Sequence, residues 1–460
     1  MTALDPRTPV LVGVGAVSRH DTATAIELLD EAVDEALVDT GAADVGKRIE
    51  LVAMPNGTWR DTNPGGHVAR RVGADARTLV AEIGITQQAL LSRLCTAIAR
   101  GELAAALVAG TEAKHTEKLA TERPAPVDDG APDELWVPSA EILSRAEIER
   151  ELAVPTHQYA IVENALAPTD PAALWAEFAQ VAADNPDAWN RTAPTAEEIS
   201  SARMIAEPYT SLLCSQWNVN QAAALLLTSV EAARAAGIDA DRWVFPIAAA
   251  GSDLMVPLPM RAELARWPAF ECCVEVLPVG IDDVAHLDLY SCFPAAVQVA
   301  ARALGVALDD ERGLTVTGGM TFAGGPLNSY VLQATVRLAR RLRDEPQSIG
   351  LSTSVSGMLT KPGIGLWSGA PGPQPFVAHD VTDAARATTA TKPLIDDAIG
   401  PATIAGGTVL HDRRGRRATV VIVDLPDGGR SIALGSPDAP AGAGTPVSLT
   451  APGAYVVADA

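Results

Sequence analysis

The amino-acid sequence predicts an α/β core of two similar halves, followed by a small all-β unit. Three observations carry this reading. Strand-like and helix-like segments alternate from Pro9 to Glu112. The same alternation restarts at Trp243. Beyond the proline- and glycine-rich GAPGPQP, Gly369–Pro375, helix patterns give way to short strands.

Each element has a local reason. Pro9–Gly15 is an apolar, β-rich run that ends in glycines. From Thr22 to Leu37, Ile26, Leu29, Ala32, Val33, Ala36 and Leu37 fall on one helical face. A strand at Arg48–Ala53 closes a βαβ unit. Thr78–Ile83 reads as a strand, Gln87–Arg100 as an amphipathic helix, and Ala104–Gly110 as a buried strand. After Glu112 the pattern breaks. The stretch Arg123–Pro138 is rich in Pro, Asp and Gly, and the residues up to Ala202 read as helices with little strand signal. Residues 114–202 are therefore expected to be an insertion packed over the core, with a lid as one reading.

The core resumes at Asn218–Ala236, a short strand and a helix ending at Gly237. The second series comprises strands at Trp243–Ala250, His286–Leu289 and Gly350–Ser354, with helices at Ala295–Leu304 and Ser329–Arg343. Past the linker, Thr403–Leu410, Arg417–Leu425, Arg430–Leu434, Thr445–Leu449 and Ala454–Val457 are strand-like, with a PDGG turn at Pro426–Gly429. The expected division is 1–242, 243–370 and 379–460, the last an OB-like barrel detachable at the linker.

Composition narrows the function. A chain of 460 residues is long enough for two or three domains. Its 57 Asp+Glu against 35 Lys+Arg give a net charge of −22, which repels phosphate backbones and argues against nucleic-acid binding. Five cysteines, an odd number, read as reduced thiols rather than a disulfide framework. The opening MTALDPRTPVLVGVGAV lacks the basic start and long apolar core of a signal peptide. Apolar runs such as Gln221–Val230 are far shorter than the roughly 20 residues of a membrane helix. A cytoplasmic protein without a membrane span is the expectation.

Several motifs fail on inspection. Gly41–Arg48 (GAADVGKR) has phosphate-loop glycine spacing, but Arg48 stands where Ser or Thr is needed, and the segment follows a helix instead of a strand. In Val12–Ser18 (VGVGAVS), Ser18 replaces the third glycine of a dinucleotide fingerprint. The seven histidines are scattered without metal-ligand spacing, so no metal site is expected. No GxSxG elbow occurs.

Three glycine-rich or polar strand-end loops remain. They are Tyr290-Ser291-Cys292 within HLDLYSCFPAAVQ, the loop TVTGGMTFAGGPLNSY (Thr315–Tyr330), and SVSGMLTKPGIGLWS (Ser354–Ser368). Strand-end loops of one half commonly converge on one crevice. Their order and spacing, with the opening PVLVGVG, resemble the thiolase superfamily, especially its sterol-carrier-protein-like branch. GGMTFAGGPLNSY is similar to the family's GHP loop, DLYSCF to its HDCF or NEAF loop, and SVSGMLTKPGIG to its Cys-Gly-rich loop. Ile85–Glu112 looks like the helix and strand after the nucleophilic cysteine, and Val219–Gly237 like the end of the first half. The resemblance covers roughly residues 9–370. It implies a layered αβαβα core, and the appended β unit is similar to that of type 1 thiolase-like proteins.

The resemblance also exposes departures. It places the nucleophile at Gly84, the catalytic histidine at Gly325, the His-Asp or Asn-Glu pair at Tyr290 and Ser291, and the second cysteine within Ser354–Ser356. Gly84, Ser291, Gly325 and Ser356 are thus expected to line the crevice as degenerate positions. Claisen chemistry needs a thiolate, a base and an oxyanion hole, so ordinary acetyl-CoA acetyltransferase activity is not expected. What the resemblance implies instead is a CoA thioester as substrate or ligand, with no other cofactor. Two functions stay open. One is altered acyl-CoA chemistry such as retro-aldol cleavage, since some thiolase-like steroid-CoA aldol lyases use tyrosines; Tyr290 is then the catalytic candidate, with Tyr330 and Lys361 behind it. The other is a catalytically inactive CoA-ester-binding or partner-docking protein. Arg413, Arg414, Arg416 and Arg417 could attract CoA phosphates or an acidic partner, or simply be solvated. Homodimer and monomer both stay open.

Overall fold

Strand β1 (Pro9–Ser18) is buried along nearly its whole length. In this computed structural model, which describes residues 4–122 and 125–458, it lies at one edge of a six-stranded sheet. Met1–Ala3, at the head of the segment read for a leader, lie outside the described residues. So do Arg123 and Pro124 of the proline-rich stretch, and Asp459 and Ala460.

Helix α1 (Ala25–Asp39) starts three residues later than expected because Thr24 and Glu27 form a capping box. It lies close on β1: a Cβ at Gly13 would come 2.7 Å from Thr40 Cγ2, and one at Gly15 would come 2.8 Å from Glu35 Cβ. The glycines of VGVGAVS serve this contact. The neighbouring N–H groups of Val14 and Ala16 donate to Asp39 and Glu35, so carboxylates stand where a phosphate would have to lie. Strand β2 (Leu51–Pro55), helix α2 (Pro64–Val72), strand β3 (Arg77–Ala81), helix α3 (Gln87–Ala99) and strand β4 (Ala105–Ala113) follow.

The insertion carries helices α4 (Lys114–Leu119), α5 (Arg145–Glu149), α6 (Pro155–Ala165), α7 (Pro171–Asp184) and α8 (Ala196–Ser201). It also holds strands that its sequence hid. Strand β5 (Glu134–Trp136) pairs in parallel with β3 and covers the outer edge of the first sheet. Strands β6 (Met204–Ala206) and β7 (Tyr209–Thr210) follow just after the expected end of the insertion.

Strand β8 (Asn220–Ser229) takes most of a segment expected to be a short strand and a long helix; helix α9 is only Val230–Ala235. Its run of Ala and Leu suits a helix locally, but β8 lies between β1 and β4, antiparallel to both and buried throughout. A strand covered on both faces needs no alternation.

The second half repeats the plan with β9 (Phe245–Gly251), α10 (Pro268–Glu275), β10 (His286–Asp288), α11 (Pro294–Leu304), α12 (Gly319–Phe322), α13 (Tyr330–Asp344), β11 (Ile349–Ser356) and β12 (Lys361–Ser368). Strand β12 replaces part of an expected loop and forms a hairpin with β11. The order β10-β11-β12-β9 matches β2-β4-β8-β1 in the first sheet, with the same succession of one parallel and two antiparallel pairings. Helices α3 and α13 fill the layer between the sheets, where Leu90, Leu94 and Ile98 meet Leu332, Val336 and Leu338 in one core. With α1, α2 and α9 outside one sheet and α10 and α11 outside the other, the layers run αβαβα.

The chain past Gly369–Pro375 does not leave the core at once. Strand β13 (Val377–Asp380) adds in parallel to β9, and helix α14 (Thr382–Thr388) places Ala385 in the second-half core. His379, the expected first residue of the all-β unit, thus belongs to the second sheet. The barrel begins at β14 (Gly400–Asp412) and continues through β15 (Gly415–Asp424), β16 (Arg430–Gly435), β17 (Pro446–Ala451) and β18 (Ala454–Val457). These strands close in the order β14-β15-β16-β18-β17 and back to β14, with β16 and β18 parallel. This is an OB-like barrel.

The barrel has a small interior of its own, including Ile404, Val421, Val423, Ala433, Val447 and Leu449. Leu410, Val420, Ile422 and Ile432 instead join the core shared by the insertion and the second half. Arg417 pairs with Glu151 at 2.9 Å, and Arg416 and His411 both reach Glu207. These two arginines therefore fasten the barrel to neighbouring segments. Clean detachment at the linker does not follow from such packing. Ending the chain at Pro375 is expected to give insoluble or dye-binding protein without a cooperative melt, because the outer barrel face leaves a buried apolar surface open to water. A monodisperse 1–375 fragment with a sharp thermal transition would show that the barrel folds apart.

Candidate functional site

Strand β10 ends at Asp288, a carboxylate with 1% of its surface exposed. Such a group needs donors, and the chain supplies five. Thr317 Oγ1 (2.9 Å), Thr315 Oγ1 (3.0 Å) and Tyr330 Oη (2.9 Å) donate to it, as do the N–H groups of Val316 and Thr317 at 3.1 Å. Burial pushes this carboxyl upward, and the Thr317, Tyr330 and Thr315 hydroxyls pull it back. The cluster joins two of the three sequence-predicted loops. Tyr330 is committed to it, which removes that phenol from free acid–base work.

Tyr290 follows two residues later. Its N–H donates to Thr353 Oγ1 at 2.7 Å, and its ring meets Tyr330 edge-on with centroids 5.7 Å apart. The ring is half-buried, and its hydroxyl has no hydrogen-bond partner among the described residues. Burial, with Cys292 close by, pushes the phenol well above its ordinary range. Ser291 is fully buried and accepts from the Met320 N–H at 3.1 Å, so it holds the following loop.

Gly84 has φ +114°, a conformation that L-residues rarely adopt, and a Cβ there would lie 2.9 Å from Pro138. The segment after β5 thus covers this position. Gly325 donates its N–H to Gln216 O at 2.8 Å; a Cβ would lie 3.3–3.4 Å from Met320 O, Gln216 O and Met320 Cε. Ser356 is half-buried at the end of β11, opposite Lys361. Lys361, only 1% exposed, pairs with Asp253 at 2.6 Å and donates to Gly84 O at 3.3 Å. It locks the Gly84 turn to the second half rather than serving Tyr290.

The sequence reading missed two amides. Gln87, near the start of α3, donates to Asn328 Oδ1 at 2.6 Å, directly linking the approaches to the two central helices. Gln87 Oε1 and Asn328 Nδ2 are buried without protein partners. Consecutive glutamines opening the helix were the available signal. Arg261 was missed too. It is buried, donates to Val256 O and Met358 O, and burial holds it at about 10.

A groove of about 640 Å³ runs along α3, lined by Gly84, Gln88, Ser92, Trp136, Lys361 and His379 among others. Of the five expected site residues, Gly84 alone lines it; Tyr290, Ser291, Gly325 and Ser356 do not. The insertion packs on the second-half loops. Phe178 fills the space beside Gly319, Trp175 Nε1 donates to Thr321 Oγ1 at 2.9 Å, and Asn185 Nδ2 donates to Thr317 O at 2.9 Å. Cys95 and Cys292 are both buried, which pushes each thiol up to about 12, so neither is a thiolate near neutral pH. Among the described residues no group of three or more His, Cys, Asp or Glu is placed to hold a metal, and no helix is long and apolar enough to cross a membrane.

Comparison with solved structures decides the family. A monomeric SCP2-thiolase-like protein type 1 from Mycobacterium smegmatis is similar over 99% of this chain and 100% of that one, at 30% identity and a TM-score of 0.84. The chain belongs to the SCP2-thiolase-like type 1 family. Two further structures share the fold: an Ltp2–ChsH2(DUF35) aldolase (18% identity, TM-score 0.58, 79% of this chain and 98% of that one) and the dimeric peroxisomal thiolase of Saccharomyces cerevisiae (15%, 0.59, 80% and 98%). No family model matches, and no curated protein matches.

For this SCP2-thiolase-like chain, Gly84→Cys is the direct test of the closed turn. The variant is expected to lose about 2–4 kcal/mol in urea unfolding, from the strained φ and the clash with Pro138. Unchanged stability would mean that the turn can open to a side chain.

Proposed function

We propose that this protein binds a CoA thioester and carries out neither condensation nor thiolysis. The observation that carries the reading is Gly84: its left-handed backbone and the overlying Pro138 leave no room for a nucleophilic side chain. The buried thiols and the occupied surroundings of Gly325 support it. Acyl transfer of the thiolase kind requires an acyl-accepting thiolate and a base, and neither is at hand in this arrangement. Purified protein is expected neither to condense acetyl-CoA nor to cleave acetoacetyl-CoA above background. An acyl-CoA at 100 times its dissociation constant is expected to stabilise the fold by about 2.7 kcal/mol, read as a thermal shift. Turnover that disappears on mutating Cys95 or Cys292 would overturn the reading, as would the absence of a shift with every ester in a chain-length series.

One observation favours a second reading, retro-aldol cleavage of a β-hydroxyacyl-CoA. The Tyr290 hydroxyl is unpartnered just past the end of β10, and burial keeps the phenol protonated, so it has a proton to give. In that reaction the β-hydroxyl loses its proton to solvent water as the Cα–Cβ bond breaks to leave a carbonyl compound, the thioester enolate takes a proton from Tyr290, and Tyr290 regains one from solvent. Tyr290→Phe is then expected to abolish cleavage while leaving ester affinity within about threefold, since a hydroxyl in proton transfer contributes 10²–10⁴-fold to rate. Equal turnover in the variant, or none in the wild type, returns the weight to binding alone.

A further inference from the structure

The groove along α3 opens to solvent and lies apart from the Asp288 cluster and Tyr290. Its volume of about 640 Å³ is that of a small-molecule site. It follows a helix that rises about 20 Å from Gln87 to Ala99, between the edges of the two sheets. Its α3 wall includes Ala89, Ser92, Thr96 and Ala97, whose small side chains leave the space unfilled. Buried Ile85 and Leu94 add apolar surface below them. On one side stands Trp136, with the Arg93 guanidinium 5.1 Å from its ring. The end beside Gly84 is polar, and Lys361 lines it. An ammonium carries three donors. Asp253 and Gly84 O take two, and the third has no acceptor among the described residues. Lys361 is 1% exposed, so a partner for that donor has to arrive through the groove.

We infer that the α3 groove holds a long acyl chain, with the uncharged carbonyl of its thioester accepting from Lys361. Naming the thioester rests on the proposed function; the acyl site itself rests on the groove and on the free donor. Charge selects the kind of head group. Asp253 already balances Lys361, and Asp380 lies at the same end of the groove. A ligand carboxylate would bring a third negative charge to one ammonium, whereas a neutral carbonyl oxygen takes the donor without that repulsion. Shape selects the chain. An acetyl group would leave most of a groove of this length to water, and its apolar α3 wall gains only from a chain that runs along it. Gly84 lines the same end as Lys361, so the carbonyl lies beside the closed turn. Because the groove opens to solvent, the part of the ester beyond the carbonyl stays outside and needs no buried channel.

The test uses N-acetylcysteamine thioesters from acetyl to palmitoyl on the full chain, with the matching free acids and acyl-CoAs. Calorimetry and thermal shift are read below micelle-forming concentrations. Thioester affinity is expected to rise about fourfold with each added CH₂ until the chain fills the groove. The free acids are expected to bind about tenfold more weakly than their thioesters. Ala97→Phe, which places a ring in the groove, is expected to lose the dependence on chain length. Lys361→Met is expected to lose about tenfold or more for every thioester. Ala97 is half-buried on the open wall, so its variant keeps the test valid should Lys361→Met not fold. Thioester binding of this pattern without any acyl-CoA binding would support the acyl site and overturn the proposed function alone. Affinity independent of chain length, equal affinity in the wild type and either variant, free acids that bind as tightly as thioesters, or no thioester binding at all would overturn the acyl site, even if acyl-CoA binds elsewhere.

Discussion

A buried carboxylate organises the second half. Asp288 lies where a strand end would present side chains to a ligand, yet it is turned inward and gathers five donors from the Leu314–Gly318 segment and the first residue of α13. Leaving an isolated carboxylate in such surroundings would cost several kcal/mol, so these donors constrain one another's positions. Thr317 cannot move without releasing Asp288. Tyr330 cannot rotate without doing so, and Ser291 is held against both through Tyr330 Oη and the Met320 N–H. Polar residues at this strand end thus serve structure, and Tyr290 is the adjoining side chain left with an unengaged polar group.

The same inward commitment explains how much of the site could be read beforehand. Order and spacing of the three loops were legible because glycines and prolines mark strand ends whatever the side chains then do. The departures at Gly84 and Gly325 were legible as identities, but not their consequence. That Pro138 covers Gly84 depends on a segment of the insertion some fifty residues away in sequence, whose three-residue strand β5 carries too short a pattern to recognise. Lys361 was named for its charge near a loop; its burial against Asp253 and the Gly84 carbonyl is a tertiary fact.

The fold shows a parallel limit. Periodicity found α1, α3, α11 and α13 within three residues at each end, and the barrel strands as closely, but it passed over α2, α10, α12 and α14. It failed for β8 and β12, which are covered on both faces and flanked on both sides, so their sequences answer to close packing rather than to a period of two. In β12, Gly363 lies against Gln88, where a Cβ would come 2.7 Å from Gln88 Cβ. This glycine reads as a flexible loop in one dimension and as helix-on-sheet contact in three. The linker fails for the opposite reason. Gly369–Pro375 does interrupt secondary structure, but a break in local pattern says nothing about where the next strand docks, and β13 docks on β9.

Charge placement gives these observations a common direction. In a chain with 35 basic and 57 acidic side chains, a cation has carboxylates to choose from, and the arginines at internal seams have taken partners. Arg430 reaches Asp424 while donating to the carbonyls of Arg261 and Ala262. Arg312 forks onto Asp310 and holds that carboxyl at about 2, and Arg417 forks onto Glu151. Arg430 and Arg417 tie the barrel to the second half and to the insertion, beside the apolar contacts that the barrel also makes there.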